Sequence, residues 1–263
     1  MSTAPSTTTP AWLSNAVKLA KAFGEKHKLL LKSSERQLSA AFEVGSLHAL
    51  LRYYESQGYT LQPQNLSSDK EYRYLTSPNG NPANFSYVSA QGYDGEFEIR
   101  QQVRVQSHVD EWIRFTPDIV VITKDAQIQK QKSKYYAHGK RAFFAVPSSS
   151  VVAAHECKSM NPFPELIVSF LGMLVTAHEW YPKGSAAELT KGFGHLAPTL
   201  FVGGTARGMH LKMILAMQAC YALNIICGLH EGTWSLQDAE NRLKWLLPHG
   251  SAKSSPAGDD MPF

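Results

Sequence analysis

The sequence Val-Val-Ala-Ala-His-Glu-Cys-Lys at residues 151–158 decides the expected fold of this chain. Its small and β-branched residues continue without a turn residue, which predicts a buried strand that ends in charge. Alternate side chains on a strand share a face, so Glu156 and Lys158 should project together while Cys157 points away. An ordinary ion pair at a strand end is one interpretation of this pair. A functional site is the other, and it depends on residues elsewhere in the chain.

A second predicted core strand supplies another carboxylate. Residues 115–122 are Phe-Thr-Pro-Asp-Ile-Val-Val-Ile, and the run Ile119–Ile122 is apolar on both faces, as expected of a central strand. Proline is tolerated only near the beginning of such a strand. Asp118 is therefore expected at the mouth of a core strand.

A third carboxylate lies on a helix predicted from about Ser34 to Gln57. At 100° per residue, Glu43 shares a face with Leu47, Leu50 and Tyr54 and should point inward with this apolar stripe. A buried acid needs a partner, so the three carboxylates are candidates for one shared site.

Taken in chain order, these residues resemble a known nuclease pattern. Glu43 on an early helix, then Pro117-Asp118, then Glu156-Cys157-Lys158, is similar to the PD-(D/E)xK pattern of the restriction-endonuclease-like superfamily. The resemblance covers roughly residues 33–229 in element order. It implies an α/β fold with a mixed central sheet flanked by helices, and a Mg²⁺-dependent endonuclease that hydrolyses phosphodiester bonds.

The resemblance also implies a role for each residue. Hard cations such as Mg²⁺, for which Mn²⁺ can substitute, prefer oxygen ligands. Asp118, Glu156 and the backbone carbonyl of Cys157 would supply them, and Glu43 would hold a water molecule or a second ion. Lys158 would orient the attacking water or stabilise the charge that builds on the phosphate.

Length and charge give further expectations. With 263 residues and 43% hydrophobic content, one large domain is expected over residues 11–247, between a disordered tail at 1–10 and a flexible linker with an acidic end at 248–263. The net charge of +4 is concentrated in Lys124–Arg141, which alone carries +5. This segment is either a solvated loop or a nucleic-acid contact, to DNA in preference to RNA. The residues expected to bind nucleic acid are Lys130, Lys132, Lys134, Lys140, Arg141 and, in a glycine-rich turn, Arg207.

Cysteine content and hydropathy bear on the compartment. The three cysteines form no CxxC motif, which suits a reducing compartment and argues against a structural zinc site. No secretory signal is visible at the N-terminus. The longest apolar run, Leu166–Ala177, is far too short to span a membrane. A cytoplasmic protein without membrane association is expected.

The last five residues carry a separate signal. They resemble the acidic tip of bacterial single-stranded-DNA-binding proteins, in which aspartates precede an apolar residue, proline and a terminal phenylalanine. A terminal ring and carboxylate suit an apolar pocket with a basic rim. Binding of a partner protein and chance similarity both remain open for this short segment, which consists of Asp259, Asp260, Met261, Pro262 and Phe263.

Two function classes follow. One is a metal-dependent nuclease, targeted through a homodimer or a partner protein as in prokaryotic defence systems, which is an expectation by analogy. The alternative is a non-catalytic module that binds DNA or protein and uses the motif residues as a plain ion-pair cluster. A serine or cysteine hydrolase is disfavoured because no G-x-S-x-G or H-E-x-x-H motif is present.

Overall fold

The computed structural model describes residues 34–78, 80–92, 95–132, 142–177, 195–230, 244–246 and 252–254, together with Lys18 and Ala22. Among these described residues, three α-helices lie from residue 34 onward, α1 (Ser34–Ser56), α2 (Pro164–Ala177) and α3 (Gly208–Cys220). The strands are β1 (Thr60–Gln64), β2 (Tyr87–Gly92), β3 (Gly95–Gln101), β4 (Arg104–Gln106), β5 (Arg114–Phe115), β6 (Ile119–Thr123), β7 (Gln129–Lys132), β8 (Ala142–Pro147), β9 (Val151–Lys158), β10 (Thr199–Val202), β11 (Asn224–Ile226), β12 (Lys244–Leu246) and β13 (Ala252–Ser254).

The larger sheet contains seven strands in the order β1-β2-β3-β6-β9-β10-β11. Neighbours from β1 to β9 are antiparallel, whereas β10 is parallel to β9 and β11 is parallel to β10. The two parallel steps follow from the helices, because α2 and α3 connect β9 to β10 and β10 to β11 as crossovers. The expected α/β class with a mixed sheet is confirmed.

Helices cover this sheet on both faces. Alternate residues of β6 belong to different cores, Ile119 to the core that contains α1 and Val120 to the core that contains α2 and α3. Leu50 of α1 is fully buried on the first face, and Ile167 of α2 is fully buried on the second. A strand that is apolar on both faces fits only between two such layers, as the run Ile119–Ile122 indicated.

A smaller sheet, in the order β5-β4-β8-β7, lies beside the second core. Strands β4 and β8 are parallel, and the outer pairs are antiparallel. Val105 of β4 and Val146 of β8 are fully buried and join the core of α2 and α3. The smaller sheet therefore shares the hydrophobic core of the larger one.

The short turn sequence at 147–150 between two apolar runs predicts a hairpin of β8 with β9, but the two strands do not pair. Strand β8 pairs with β4 and β7, while β9 pairs with β6 and β10. The connecting residues Ser148–Ser150 form a 3₁₀ turn. A tight hairpin keeps both strands in one ladder, whereas this turn carries the chain from the smaller sheet into the larger one.

The alternation of apolar and polar residues over 95–105 predicts one half-exposed strand, and this prediction is wrong. The strand is interrupted at Gln102, which has a φ of 53°, so β3 belongs to the larger sheet and β4 to the smaller. The apolar residues before the break are buried in one core and those after it in the other. Apolar and polar residues therefore keep alternating across the break. Polar residues at the break, among them Arg100 and Gln101, are also buried, so this segment is less exposed than predicted.

The two crossover helices are less buried than their sequences predicted. The sequence of α2 is apolar nearly all round and predicts a buried helix, yet Val168 is 56% exposed. On α3, methionines recur every four residues, which predicts a stripe that packs in the core. Met209 is nevertheless 69% exposed, whereas Met213 and Met217 pack partly against the core, so only part of this stripe is core packing. The reason is geometric, because a helix in an outer layer buries one face against the sheet.

The C-terminal segments form a small ribbon in which β12 pairs antiparallel with β13. Residues 252–254 thus form a strand inside the segment that composition predicted to be a flexible linker, and residues 259–263 lie outside the described part of the chain. Within the described helices, none combines the length and apolarity that crossing a membrane requires.

Candidate active site

Strand register places the motif residues side by side. Gln101 of β3 pairs with Ile119 of β6, and Ile119 pairs with His155 of β9. One step along the same rows, residues 102, 118 and 156 come together at the end of three neighbouring strands. Residues directly opposite each other share a face of the sheet, so Asp118 and Glu156 lie on the same side.

Lys158 shows directly that these side chains meet. Its Nζ lies 2.5 Å from Glu156 Oε1 and 3.5 Å from Asp118 Oδ2. The Lys158 side chain is 31% exposed, and those of Glu156 and Asp118 are 16% and 10% exposed. Two carboxylates therefore share one ammonium at a half-sheltered edge of the core.

Asp118 is held in one orientation by two hydrogen bonds. The backbone N–H of Cys157 donates to Oδ2 at 2.7 Å, and Gln102 Nε2 donates to Oδ1 at 2.7 Å. Each oxygen of the Asp118 carboxyl group therefore accepts one of these hydrogen bonds. A carboxylate that accepts such bonds is fixed in its plane.

Glu43 reaches the same cluster from α1. It is 8% exposed, and its inward position agrees with the predicted stripe, in which Leu47, Leu50 and Tyr54 are almost completely buried. Gln102 Nε2 donates to Glu43 Oε2 at 3.2 Å while it also bonds Asp118. The partner that the buried acid requires is therefore an amide that connects it to a second acid.

Crowded carboxyl groups shift one another's titration. Burial, and then the charge of Asp118, raises the pKa of Glu43 to about 8. Burial and Asp118 likewise raise the pKa of Glu156 to about 7, against the opposing effect of Lys158. Burial lowers the pKa of Lys158, but Asp118 and Glu156 outweigh it and raise that pKa above its ordinary value. The ammonium thus remains charged at neutral pH, while the acids repel one another.

Cys157 contributes its main chain to the cluster. Its side chain is buried in the core on the α1 face, away from Glu156 and Lys158, as alternation on a strand requires. Burial, and then the charge of Asp118, raises the pKa of the thiol well above its usual range. A thiol in these surroundings is unreactive, so its chemistry is not part of the site.

The donor set fits a hard divalent cation. Two carboxyl groups contact one ammonium, and Gln102 links a third, that of Glu43, to Asp118. Glu156 Oε2 is buried with no hydrogen-bond partner among the described residues. An oxygen without a partner beside repelling carboxylates is a favourable ligand for Mg²⁺ or Mn²⁺. No group of three or more His, Cys, Asp and Glu side chains in the described ranges is already arranged as a metal cluster. In the expected set, Asp118 and Glu156 supply side-chain ligands, Cys157 supplies a main-chain carbonyl, and Glu43 holds a water molecule or a second ion.

The expected nucleic-acid residues are only partly described. Lys130 lies exposed on β7, at the edge of the smaller sheet, and Lys132 lies on the same strand. Arg207 is exposed immediately before α3. Lys134, Lys140, Arg141 and the five C-terminal residues lie outside the described part of the chain.

The glycine pair at residues 203–204 serves close packing beside the site. Gly203 N–H donates to the carbonyl of Lys158 at 2.8 Å. A Cβ on Gly203 would lie 2.1 Å from His230 Nε2, and one on Gly204 would lie 2.0 Å from Asn161 Oδ1. The absence of a Cβ at both glycines lets these two polar side chains pack next to the end of β9.

Gln102, Asn161 and His230 lie in or beside the cluster, and sequence reasoning missed all three. The His230 ring lies 5.0 Å from that of Phe42, the neighbour of Glu43. Only Gln102 had a usable signal, because Gln101-Gln102 interrupts an alternating strand with two consecutive amides. His230 and Asn161 are placed by tertiary packing, for which a single sequence gives no pattern.

Comparisons with known proteins return no relative for this chain. No family model, no curated protein and no solved structure matches it.

Proposed function

We propose that this chain is a divalent-cation-dependent nuclease that hydrolyses phosphodiester bonds, of DNA in preference to RNA. The observation that carries the proposal is the position of Lys158 Nζ, which contacts Glu156 at 2.5 Å and lies 3.5 Å from Asp118. Asp118 and Lys158 are 40 positions apart in the chain, yet they meet on one face of the sheet. An ion pair that only closed a strand end would not need Asp118, Gln102 and Glu43 around it.

We further propose that the fold is the restriction-endonuclease-like one. Support comes from the order of its elements, in which α1 precedes the antiparallel strands β3, β6 and β9, and α2 then leads to β10, parallel to β9. The acids occupy the helix and the strand ends at which the resemblance places them. Fold similarity alone does not determine activity, so the functional argument rests on the side chains.

Each residue of the cluster has a role that its surroundings support. Asp118, Glu156 and the Cys157 carbonyl would hold a Mg²⁺ or Mn²⁺ ion, with Glu43 behind them. When bound, the ion would neutralise phosphate charge and activate water. Without a bound ion, Asp118 and Glu156 raise the pKa of Lys158, which disfavours a role as proton acceptor. Lys158 instead orients the attacking water and stabilises negative charge on the phosphate oxygens.

Recognition of the polynucleotide would involve exposed basic residues. Lys130 on β7 and Arg207 before α3 are both exposed. Lysine and arginine contacts to phosphate supply affinity without sequence information. A second copy of this chain or a partner protein would then select the target, as expected of an effector in a prokaryotic defence system. The proposal does not involve a membrane.

A second candidate is a non-catalytic binding module with the same fold. The specific observation in its favour is the raised pKa of Glu43, about 8, and of Glu156, about 7. Acids with such pKa values are partly protonated at neutral pH, so the cluster can be held together by hydrogen bonds without a cation. Cation binding distinguishes the two candidates, because a nuclease must bind Mg²⁺ or Mn²⁺ through Asp118 and Glu156.

The test of catalysis is incubation with plasmid and with single-stranded DNA, in Mg²⁺ or in EDTA. Wild type should cleave only with Mg²⁺, and Glu156→Ala and Lys158→Ala should both lose cleavage. The matched controls are Glu96→Ala and Lys124→Ala, which break another Glu–Lys ion pair of the same sheet away from the cluster. Cleavage that survives both site substitutions would exclude the proposed nuclease.

A further inference from the structure

Gln102 occupies a backbone conformation that glutamine rarely adopts. Its φ of 53° lies in the left-handed region, and it forms the break between β3 and β4. Its backbone N–H donates to the carbonyl of Asp118 at 3.1 Å, which extends the pairing of β3 with β6 by one residue. A non-glycine residue in this region is strained and persists where its surroundings require it.

The side chain of Gln102 accounts for this conformation. It is buried, at 7% exposure, and its Nε2 donates to Asp118 Oδ1 at 2.7 Å and to Glu43 Oε2 at 3.2 Å. An amide nitrogen carries two hydrogens, so a single side chain serves both acids. Neighbouring Gln101 is also buried, but its side-chain atoms form a hydrogen bond with neither carboxylate.

We propose that Gln102 is a positioning residue that sets the spacing and orientation of Glu43 and Asp118, and thereby the affinity of the site for a divalent cation. It touches no reacting atom. It fixes one oxygen of Asp118 while Cys157 fixes the other, and it ties α1 to the strand ends through Glu43. Hydrogen-bond partners of metal ligands typically contribute about 10- to 100-fold to affinity. This inference rests on the proposed function.

The test measures Mn²⁺ binding to the full chain by isothermal titration calorimetry. Gln102→Met retains the length of the side chain and removes both donors. We expect the dissociation constant for Mn²⁺ to rise about tenfold or more. Gln101→Met is the matched control, because it removes a buried amide at the adjacent position, and it should change the constant by less than about twofold.

Two further variants separate positioning from folding. If Gln102→Met unfolds, Gln102→Asn provides the test, because asparagine tolerates the left-handed conformation but is too short to bond both acids; we expect weaker Mn²⁺ binding. In a Glu43→Gln background, the effect of Gln102→Met should shrink, since residues that act through one contact are not additive. Full additivity would overturn the proposed link to Glu43.

The outcomes distinguish failure of this inference from failure of the proposed nuclease function. If wild type and a folded Gln102→Met bind Mn²⁺ equally, the positioning role is wrong and the nuclease proposal stands. If wild type binds no Mn²⁺, both fail together. Weaker binding by a folded Gln102→Met, with binding by Gln101→Met unchanged, supports the inference, because Gln101→Met reports the effect of losing a buried amide that bonds neither acid.

Discussion

The backbone N–H of Cys157 donates to Asp118 Oδ2 over 2.7 Å, which ties the two motif strands together through the main chain. The middle residue of the Glu-x-Lys motif therefore participates without its side chain, which is buried on the other face. Glu156 and Lys158 consequently project on the side where Asp118 lies. The motif works as a unit because strand pairing positions all three side chains.

Lys158 should contribute to turnover more than to substrate affinity. Lys158→Met retains most of the apolar stem and removes the charge that contacts Glu156 and Asp118. Since loss of one preorganised charge-stabilising group typically lowers kcat about 100- to 1,000-fold, we expect that loss with little change in KM. Steady-state cleavage kinetics measure both constants. A variant with normal kcat would contradict the proposed role.

Glu43 should make the cation-free protein less stable as pH rises. Its folded pKa of about 8 exceeds the ordinary value of 4.5, so the unfolded chain binds fewer protons than the folded chain between these values. The free energy of unfolding therefore falls as pH rises through this window. Glu43→Gln should reduce this decline and be more stable at pH 8, by roughly 1–3 kcal/mol.

Urea unfolding at pH 5 and pH 8 in EDTA measures the effect. Glu55→Gln, at an exposed position on the same helix, is the control and should follow wild type. A Glu43→Gln protein that is less stable than wild type at both pH values would indicate that the ionised carboxylate is required for folding.

The glycine pair should tolerate no side chain. A Cβ at residue 204 would lie 2.7 Å from the Cα of Asn161, and backbone does not move aside as a flexible side chain does. We expect Gly204→Ala to destabilise by about 1–3 kcal/mol. Gly172→Ala, in α2 with open space around it, should stabilise by about 0.5–1 kcal/mol. Thermal melting of both variants tests the contrast, which would be refuted by equal changes.

Lys130 should contact phosphate rather than bases. Lys130→Gln is expected to weaken binding to all DNA sequences similarly and to reduce the slope of log K against log salt by about 1. Lys124→Gln in the same basic segment should have a smaller effect, because Lys124 is ion-paired with Glu96. Fluorescence anisotropy at several salt concentrations, with catalysis blocked by EDTA, gives the slopes. An unchanged slope for Lys130→Gln would place DNA elsewhere.

The parts of the fold that sequence predicted are those with a local cause. The helix at Ser34–Ser56 and the inward position of Glu43 followed from a 3.6-residue apolar period, and the strands around Asp118 and Glu156 from apolar runs. These elements carry the candidate cluster, so its members could be named from the sequence. Their meeting depended on strand order, which only the resemblance suggested.

The parts that sequence missed are set by long-range packing. Nothing near Ala142 indicates that β8 pairs with β4 rather than with β9, because the choice depends on which core buries Val146. The break at Gln102 was hidden because apolar positions on either side keep alternating. Exposure of Val168 and Met209 reflects the outer position of their helices, which composition does not determine.

The central claim is that Asp118 and Glu156 hold one divalent cation together, and crystals grown with Mn²⁺ test it most directly. Anomalous diffraction recorded near the manganese edge should reveal a peak within about 2.5 Å of a carboxylate oxygen of each residue. The same crystals of Asp118→Asn should lose that peak. Ordered carboxylates with no peak between them at saturating Mn²⁺ would contradict the account.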